Sequence, residues 1–259
     1  MQISQKKPDL TVVEISIVLI GDFNPMIFHP MWLAHQDLIR ANEANDAVIS
    51  VIHTDVSQFQ LDWIAFQILR DRFTATIKAD AFKDHLGDIV QGVFTILGHT
   101  PIKQLGINVT LKAQFKSTED WHSFGHYLTP KSPWMNVLDA PGMRSVNIQG
   151  KRIDGKPGFM IYSIEPDLIS GENYANVRVN DHYDNPNLNG QEPINANWAL
   201  EILHENYISS VVNASLMTNK LIENFMSINE VDAPVIIERS VKKTDKIVAA
   251  SLANEIEHK

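Results

Sequence analysis

The stretch from Arg72 to Lys116 constrains the fold more than any other part of the chain. Phe73, Ala75 and Ile77 alternate with Thr74, Thr76 and Lys78, and Phe82, Leu86, Ile89, Val90, Val93, Phe94 and Leu97 then recur at helical spacing. Beyond Gly98-His99-Thr100-Pro101, the residues Leu105, Ile107, Val109, Leu111, Ala113 and Phe115 alternate with polar neighbours. A period of two, then 3.6, then two again is the pattern of a helix laid across an antiparallel sheet, because side chains alternate across a strand and share a face every three to four residues on a helix.

The flanking sequence repeats this plan. Before it, Val12–Ile20 alternates as a strand. Pro30 opens a short helix ending near Asn42, Val48–Asp55 is a strand, and Phe59–Trp63 is another. From Ile64 the apolar parity shifts, which predicts a bulge or bend near Trp63. After the strand at Gln104, Ser117 or Thr118 caps a short helix, with Glu119 and Asp120 in its favourable first turn. Strands are expected over Arg144–Arg152, Phe159–Ile164 and Tyr174–Tyr183, with a hairpin turn at Asp154-Gly155. Trp198, Leu203, Tyr207, Val211, Ala214, Leu221 and Phe225 form the stripe of a long helix.

The fold class expected is therefore α+β: a tandem βαβββα pseudo-repeat forming a curved antiparallel sheet, with the long helices packed on one face. Residues 1–103 make the first half, residues 104–228 the second, and residues 229–259 a C-terminal tail in which Ile247, Val248, Leu252 and Ile256 line one helix face.

Composition narrows the chemistry. Without cysteine there are no disulfides, thiolate metal sites or cysteine nucleophiles. The net charge is −9, and most of the acidity lies in residues 117–228, which carry 13 acidic against 7 basic side chains. No more than two basic residues adjoin anywhere, so the basic stripe that phosphate contacts require is missing and nucleic acid is not an expected partner. Met1–Leu10 is polar and Gly21-Asp22 interrupts the apolar run at Ile15–Ile20, so neither a signal peptide nor a membrane span is expected and the location expected is cytoplasmic.

Several constellations have residue types that could carry chemistry. Glu119 with His122 and Glu201 with His204 have the Glu-x-x-His spacing of di-metal bundles, but the further glutamates on facing helices are absent. His122 and His126 lie one helical turn apart without a third ligand, and His53 and Asp55 share a strand face. No Gly-x-Ser-x-Gly elbow, Walker loop or Gly-x-Gly-x-x-Gly fingerprint occurs. No cofactor and no metal site is expected. The densest polar stretch is Asp181–Gly190, and its Asp181, His182 and Asp184 are the best candidates for a ligand or partner surface. Trp134, between Pro133 and Pro141, either plugs the core or meets a partner. Burial of large apolar side chains favours the plug, and Trp134 is kept as a candidate contact residue.

His99-Thr100-Pro101 ahead of the strand Leu105-Gly106-Ile107-Asn108, together with Asp71-Arg72-Phe73, resembles a sporadically distributed bacterial family of about this length with no assigned activity. In element order the likeness spans residues 10–226. The chain has a fainter similarity to the SecB-like chaperones, which combine a long antiparallel sheet with terminal helices, though their central segment is not recognisable. The doubled element string also looks like the saddle of TATA-box-binding proteins, without its basic concave face. These resemblances carry over no catalytic residue.

The function expected is that of a non-enzymatic protein-binding or accessory subunit. It would be chaperone-like or part of a bacterial defence or toxin–antitoxin type system, with a protein partner and self-association into a homo-oligomer. The alternative is a small-molecule-binding protein or hydrolase with a polar site near Asp181–Gly190.

Overall fold

In the computed structural model, which describes residues 7–188, 190 and 193–231, the chain begins with the thirteen-residue strand β1 (Asp9–Gly21). A 3-10 turn (Pro25–Ile27) leads to α1 (Pro30–His35) and α2 (Ala41–Asn45). Four strands follow, β2 (Val48–Ile52), β3 (Val56–Gln60), β4 (Ala65–Leu69) and β5 (Arg72–Ile77), and then α3 (Lys83–Ile96). The remainder runs through β6 (Ile102–Gln114), α4 (Thr118–Leu128), β7 (Val146–Lys151), β8 (Gly158–Pro166), β9 (Tyr174–Asp184) and α5 (Asn197–Val231).

All nine strands join one antiparallel sheet in the order β2-β3-β4-β5-β1-β6-β9-β8-β7. The α+β class with a large antiparallel sheet is thus as expected. Residues paired directly across a ladder share a face, so the register shows which side is buried. Phe73 pairs with Leu19, Leu19 with Leu105 and Leu105 with Tyr183, placing these four on one side. Phe73 packs its ring 5.0 Å from Phe94 of α3, and the Tyr183 hydroxyl lies 3.4 Å from that of Ser210 on α5, so both long helices cover that side. The Tyr207 hydroxyl of α5 donates to the Lys83 carbonyl of α3 at 2.8 Å, which joins the two helices. Beneath them Ile15, Ile17, Ala75, Ile107, Val109 and Val177 are almost wholly buried. The opposite face is polar, and Thr76, Ser16, Asn108 and Asn180 lie in one row across four strands. The described residues up to Met226 form one compact unit.

The structure departs from the sequence reading at four places. The parity shift near Trp63 is a hairpin turn rather than a bulge or bend: Leu61 donates its N–H to the Ile64 carbonyl at 2.8 Å, and Ala65–Leu69 folds back as a separate strand. The first half therefore holds five strands and the second four. The helix expected to run from Pro30 to Asn42 stops at His35, where Asp37 takes a left-handed conformation (φ 56°) that no helix continues. Strand β2 ends at Ile52, and His53 and Val56 close a turn by exchanging backbone hydrogen bonds, so His53 and Asp55 are exposed hairpin-tip residues rather than a pair on a strand face. Trp134 does not plug the core. Pro133 sits in a 3-10 turn (Ser132–Trp134) whose local backbone bonds turn the indole outward. Of the expected tail, residues 232–259 lie outside the described residues.

Candidate functional site

The polar stretch at the end of β9 does not form one site, because strand alternation divides it. Asp181 and Tyr183 point toward α5, whereas His182 and Asp184 lie on the opposite face. On the inner side Asp181 accepts a hydrogen bond from the Ser210 hydroxyl at 2.6 Å and another from the Tyr183 hydroxyl at 3.2 Å. It also forms an ion pair with Arg152, the side chains being 8% and 6% exposed. The Arg152 guanidinium sits 3.6 Å from the centre of the Tyr183 ring and pairs with Asp154 at 2.7 Å. Burial works against a charge on Arg152, but the hydrogen bonds to Asp154 and the field of Asp181 outweigh it and hold the guanidinium protonated. Burial and the neighbouring Asp181 carboxylate push the Tyr162 phenol up to about 12, and its buried hydroxyl has no hydrogen-bond partner among the described residues.

This cluster clamps the β7–β8 connection, β9 and α5 together. Within it the Ser210 hydroxyl donates to a carboxylate, and among the described residues no imidazole takes part in these contacts. On the outer face His182 stacks on Phe159 with ring centroids 4.3 Å apart and meets Asp184 at 3.2 Å, while Gln104 donates to the same carboxylate at 3.0 Å. In the rest of the Asp181–Gly190 loop, Asn185 donates to the Ile102 carbonyl at 3.0 Å and accepts from the Asn187 N–H at 2.8 Å, so local hydrogen bonds shape the turn. Asn189 lies outside the described residues.

A different surface stands out around Trp134. In the loop between α4 and β7, Trp134, Met135, Val137 and Leu138 are 51%, 70%, 69% and 54% exposed. Four large apolar side chains within five residues form an uncommon exposed cluster. The loop is held rather than frayed, since the N–H groups of Val137 and Leu138 both donate to the Trp134 carbonyl at 2.9 Å.

At the two ends of this loop lies a largely apolar cavity of about 110 Å³, lined by Trp121, Phe124, Gly125, Met143, Pro166 and Ala175. Lys131 and Gly142, at the two ends of the loop, also line this cavity. Ser117 caps α4 by accepting the Asp120 N–H at 3.0 Å, and the Trp121 indole donates to the Tyr174 carbonyl at 2.9 Å, so α4 is firmly seated as one wall. The rim is basic. Burial, then Lys131 and His122, hold the His126 imidazole below its ordinary value.

Among the described residues no three histidine or acidic side chains converge as a metal site, and no helix is long and apolar enough to cross a membrane. A search of protein-family models and of curated protein sequences finds no match for this chain.

Proposed function

We propose that this chain is a non-enzymatic protein-binding subunit that captures an apolar segment of another polypeptide on the Trp134–Leu138 loop. The single observation carrying this reading is the cluster of four exposed apolar side chains on a hydrogen-bonded loop. Large aromatic and apolar groups held in water without a partner are what binding surfaces spend their energy on. The cavity beside the loop, about 110 Å³, has room for one aliphatic side chain of the partner. Lys131 in its lining favours a segment with an acidic residue next to its apolar anchor.

A chaperone-like or accessory role, inside the cytoplasm of a bacterium, belongs to the same reading. So do the resemblance to a bacterial family with no assigned activity and the fainter similarity to SecB-like chaperones. The tandem pseudo-repeat is also part of it, and the strand order supports it. Each half starts with a central strand, β1 or β6, sets its last strand beside that one and steps back outward to an edge. The hairpin β3–β4 then counts as one strand added to the first copy. Self-association is supported by Ile208, Val212 and Leu216, which stand exposed at every fourth residue along α5 and suit the same stripe of a second copy.

The test is binding of fluorescent peptides with an apolar anchor flanked by acidic residues, measured by anisotropy for the wild type and for Trp134→Ser. Truncating a central aromatic anchor costs about 2 kcal/mol or more, a loss of about thirtyfold in affinity. Thermal stability should fall only modestly, because half of the indole is already exposed. Equal affinity for both proteins refutes the reading. Light scattering of Leu216→Glu tests self-association separately, and an unchanged mass rules out the α5 stripe as its contact.

A further inference from the structure

A second concavity lies in the other half of the sheet, far in sequence from the Trp134 loop, and its chemistry is different. It is an open cleft of about 610 Å³ between the α1–α2 connection, the β3–β4 turn and the start of α3. That volume is within the range of sites for small organic ligands. Leu38 and Ile39 supply apolar lining, and Trp63 and Phe82 supply two aromatic rings with centroids 5.7 Å apart and planes inclined at 31°. His85 stands edge-on to Trp63 at 5.9 Å.

Three charged side chains line this cleft, Asp37, Arg40 and Glu43, and no two of them form an ion pair with each other among the described residues, although the Arg40 charge helps to lower the Glu43 carboxyl. Glu43 is held in place: one oxygen accepts the Trp63 indole N–H at 3.0 Å, and the other accepts the Arg40 backbone N–H at 2.9 Å. The backbone bond is the larger reason its carboxyl lies below the ordinary range, and each oxygen retains a lone pair for a further donor. The Arg40 guanidinium lines the same cleft and, among the described residues, has no ion-pair partner within 4.0 Å, its charge reaching Glu43 only at longer range. A fixed carboxylate against an indole is a seat for an ammonium group, because the ring face and the carboxylate both attract positive charge. An unpaired guanidinium a few residues away is a seat for a carboxylate. A bare cation would have to share the cleft with the Arg40 charge and a bare anion with Asp37 and Glu43, whereas a ligand with both groups meets charges of each sign.

We propose that this cleft binds a small zwitterion, with its ammonium group on Glu43, Trp63 and Phe82 and its carboxylate on Arg40. Three probes separate the contributions: glycine betaine carries both charges, choline only the cation, and 3,3-dimethylbutyrate replaces the trimethylammonium by its neutral isostere. Binding is followed in the full chain by the shift of the Trp63 indole N–H resonance, assigned with Trp63→Phe. Betaine should shift that resonance saturably, with choline and dimethylbutyrate each about tenfold weaker, as loss of one partly desolvated charge contact predicts. Arg40→Gln should abolish the preference for betaine over choline, and Glu43→Gln the preference over dimethylbutyrate. The Arg40 side chain is exposed, so that variant decides the matter even where loss of the Glu43 carboxylate loosens α2. The inference is overturned if betaine gives no saturable shift, if the three probes bind alike, or if the preferences survive both substitutions.

Discussion

Replacing Asp181 by asparagine tests the clamp between β9 and α5. The amide keeps the shape of the carboxylate and its oxygen can still accept from Ser210 or Tyr183, but it gives up the charge opposite Arg152. That guanidinium is only 6% exposed and would then depend on Asp154, which is one-third exposed and better screened. Removing one member of a buried ion pair costs about 3–5 kcal/mol, because the other is left desolvated and uncompensated. The remaining Asp154 bond places this case near the lower figure. For a folded unit of this size about 3 kcal/mol corresponds to a fall in Tm of roughly 6–12 °C. Scanning calorimetry of the wild type, Asp181→Asn, Arg152→Met and the double variant reads it. The double variant should recover a large part of the single losses, since taking both charges out of the interior removes the desolvation cost with them. A Tm for Asp181→Asn within about 2 °C of the wild type would refute this, as would a double variant that loses the full sum.

Three further outcomes follow from the packing. Gly87→Ala should destabilise by about 1–3 kcal/mol, because its Cβ would sit 2.8 Å from the Tyr207 ring where α3 meets α5, whereas Gly125→Ala on α4 meets nothing within 4 Å and should stabilise by up to about 1 kcal/mol through helix propensity; urea unfolding separates them. Asp167 is held down from the ordinary 3.8 to about 2, first by the Ser170 hydroxyl and then by Lys112, so its contribution is present above about pH 4 and lost as the pH falls through 2; Asp167→Asn should narrow its Tm gap to the wild type across that window. Ser117→Ala removes the cap of α4 and should cost about 1 kcal/mol, read by chemical denaturation.

Much of the fold was legible because its periods are clean. Phe73–Ile77, the α3 stripe and Leu105–Ala113 each follow one spacing without interruption, and the structure puts strand, helix and strand there. The hairpin at Leu61–Ile64 was not legible, since a tight turn and a bulge both shift the apolar parity and the turn lacks glycine and proline. Trp134 was misread because burial statistics describe a residue type, whereas local backbone bonds decide where one loop aims its side chain.

The clamp did leave a trace. Ala175, Val177 and Val179 predict that Asp181 is the next inward residue, and a carboxylate at an inward position demands a buried partner. Arg152 and Ser210 come from distant segments, and no spacing rule points to them. The cleft at Glu43 was invisible for the same reason, since Arg40, Trp63 and Phe82 converge only once the sheet has formed.

The position of β1 between β5 and β6 has a consequence for the order in which the protein is made. Once α3 has left the ribosome, β1 already has β5 beside it and α3 to cover that face, while β6 has yet to be synthesised. The growing chain at that moment is a five-stranded half whose longest strand, thirteen residues, is a bare edge. Strand β6 is the next to be made and pairs with that edge, and β9, made last, closes between β6 and β8. A chain released early, or cut between α3 and β6, presents this same edge to any other strand, including that of a second truncated copy.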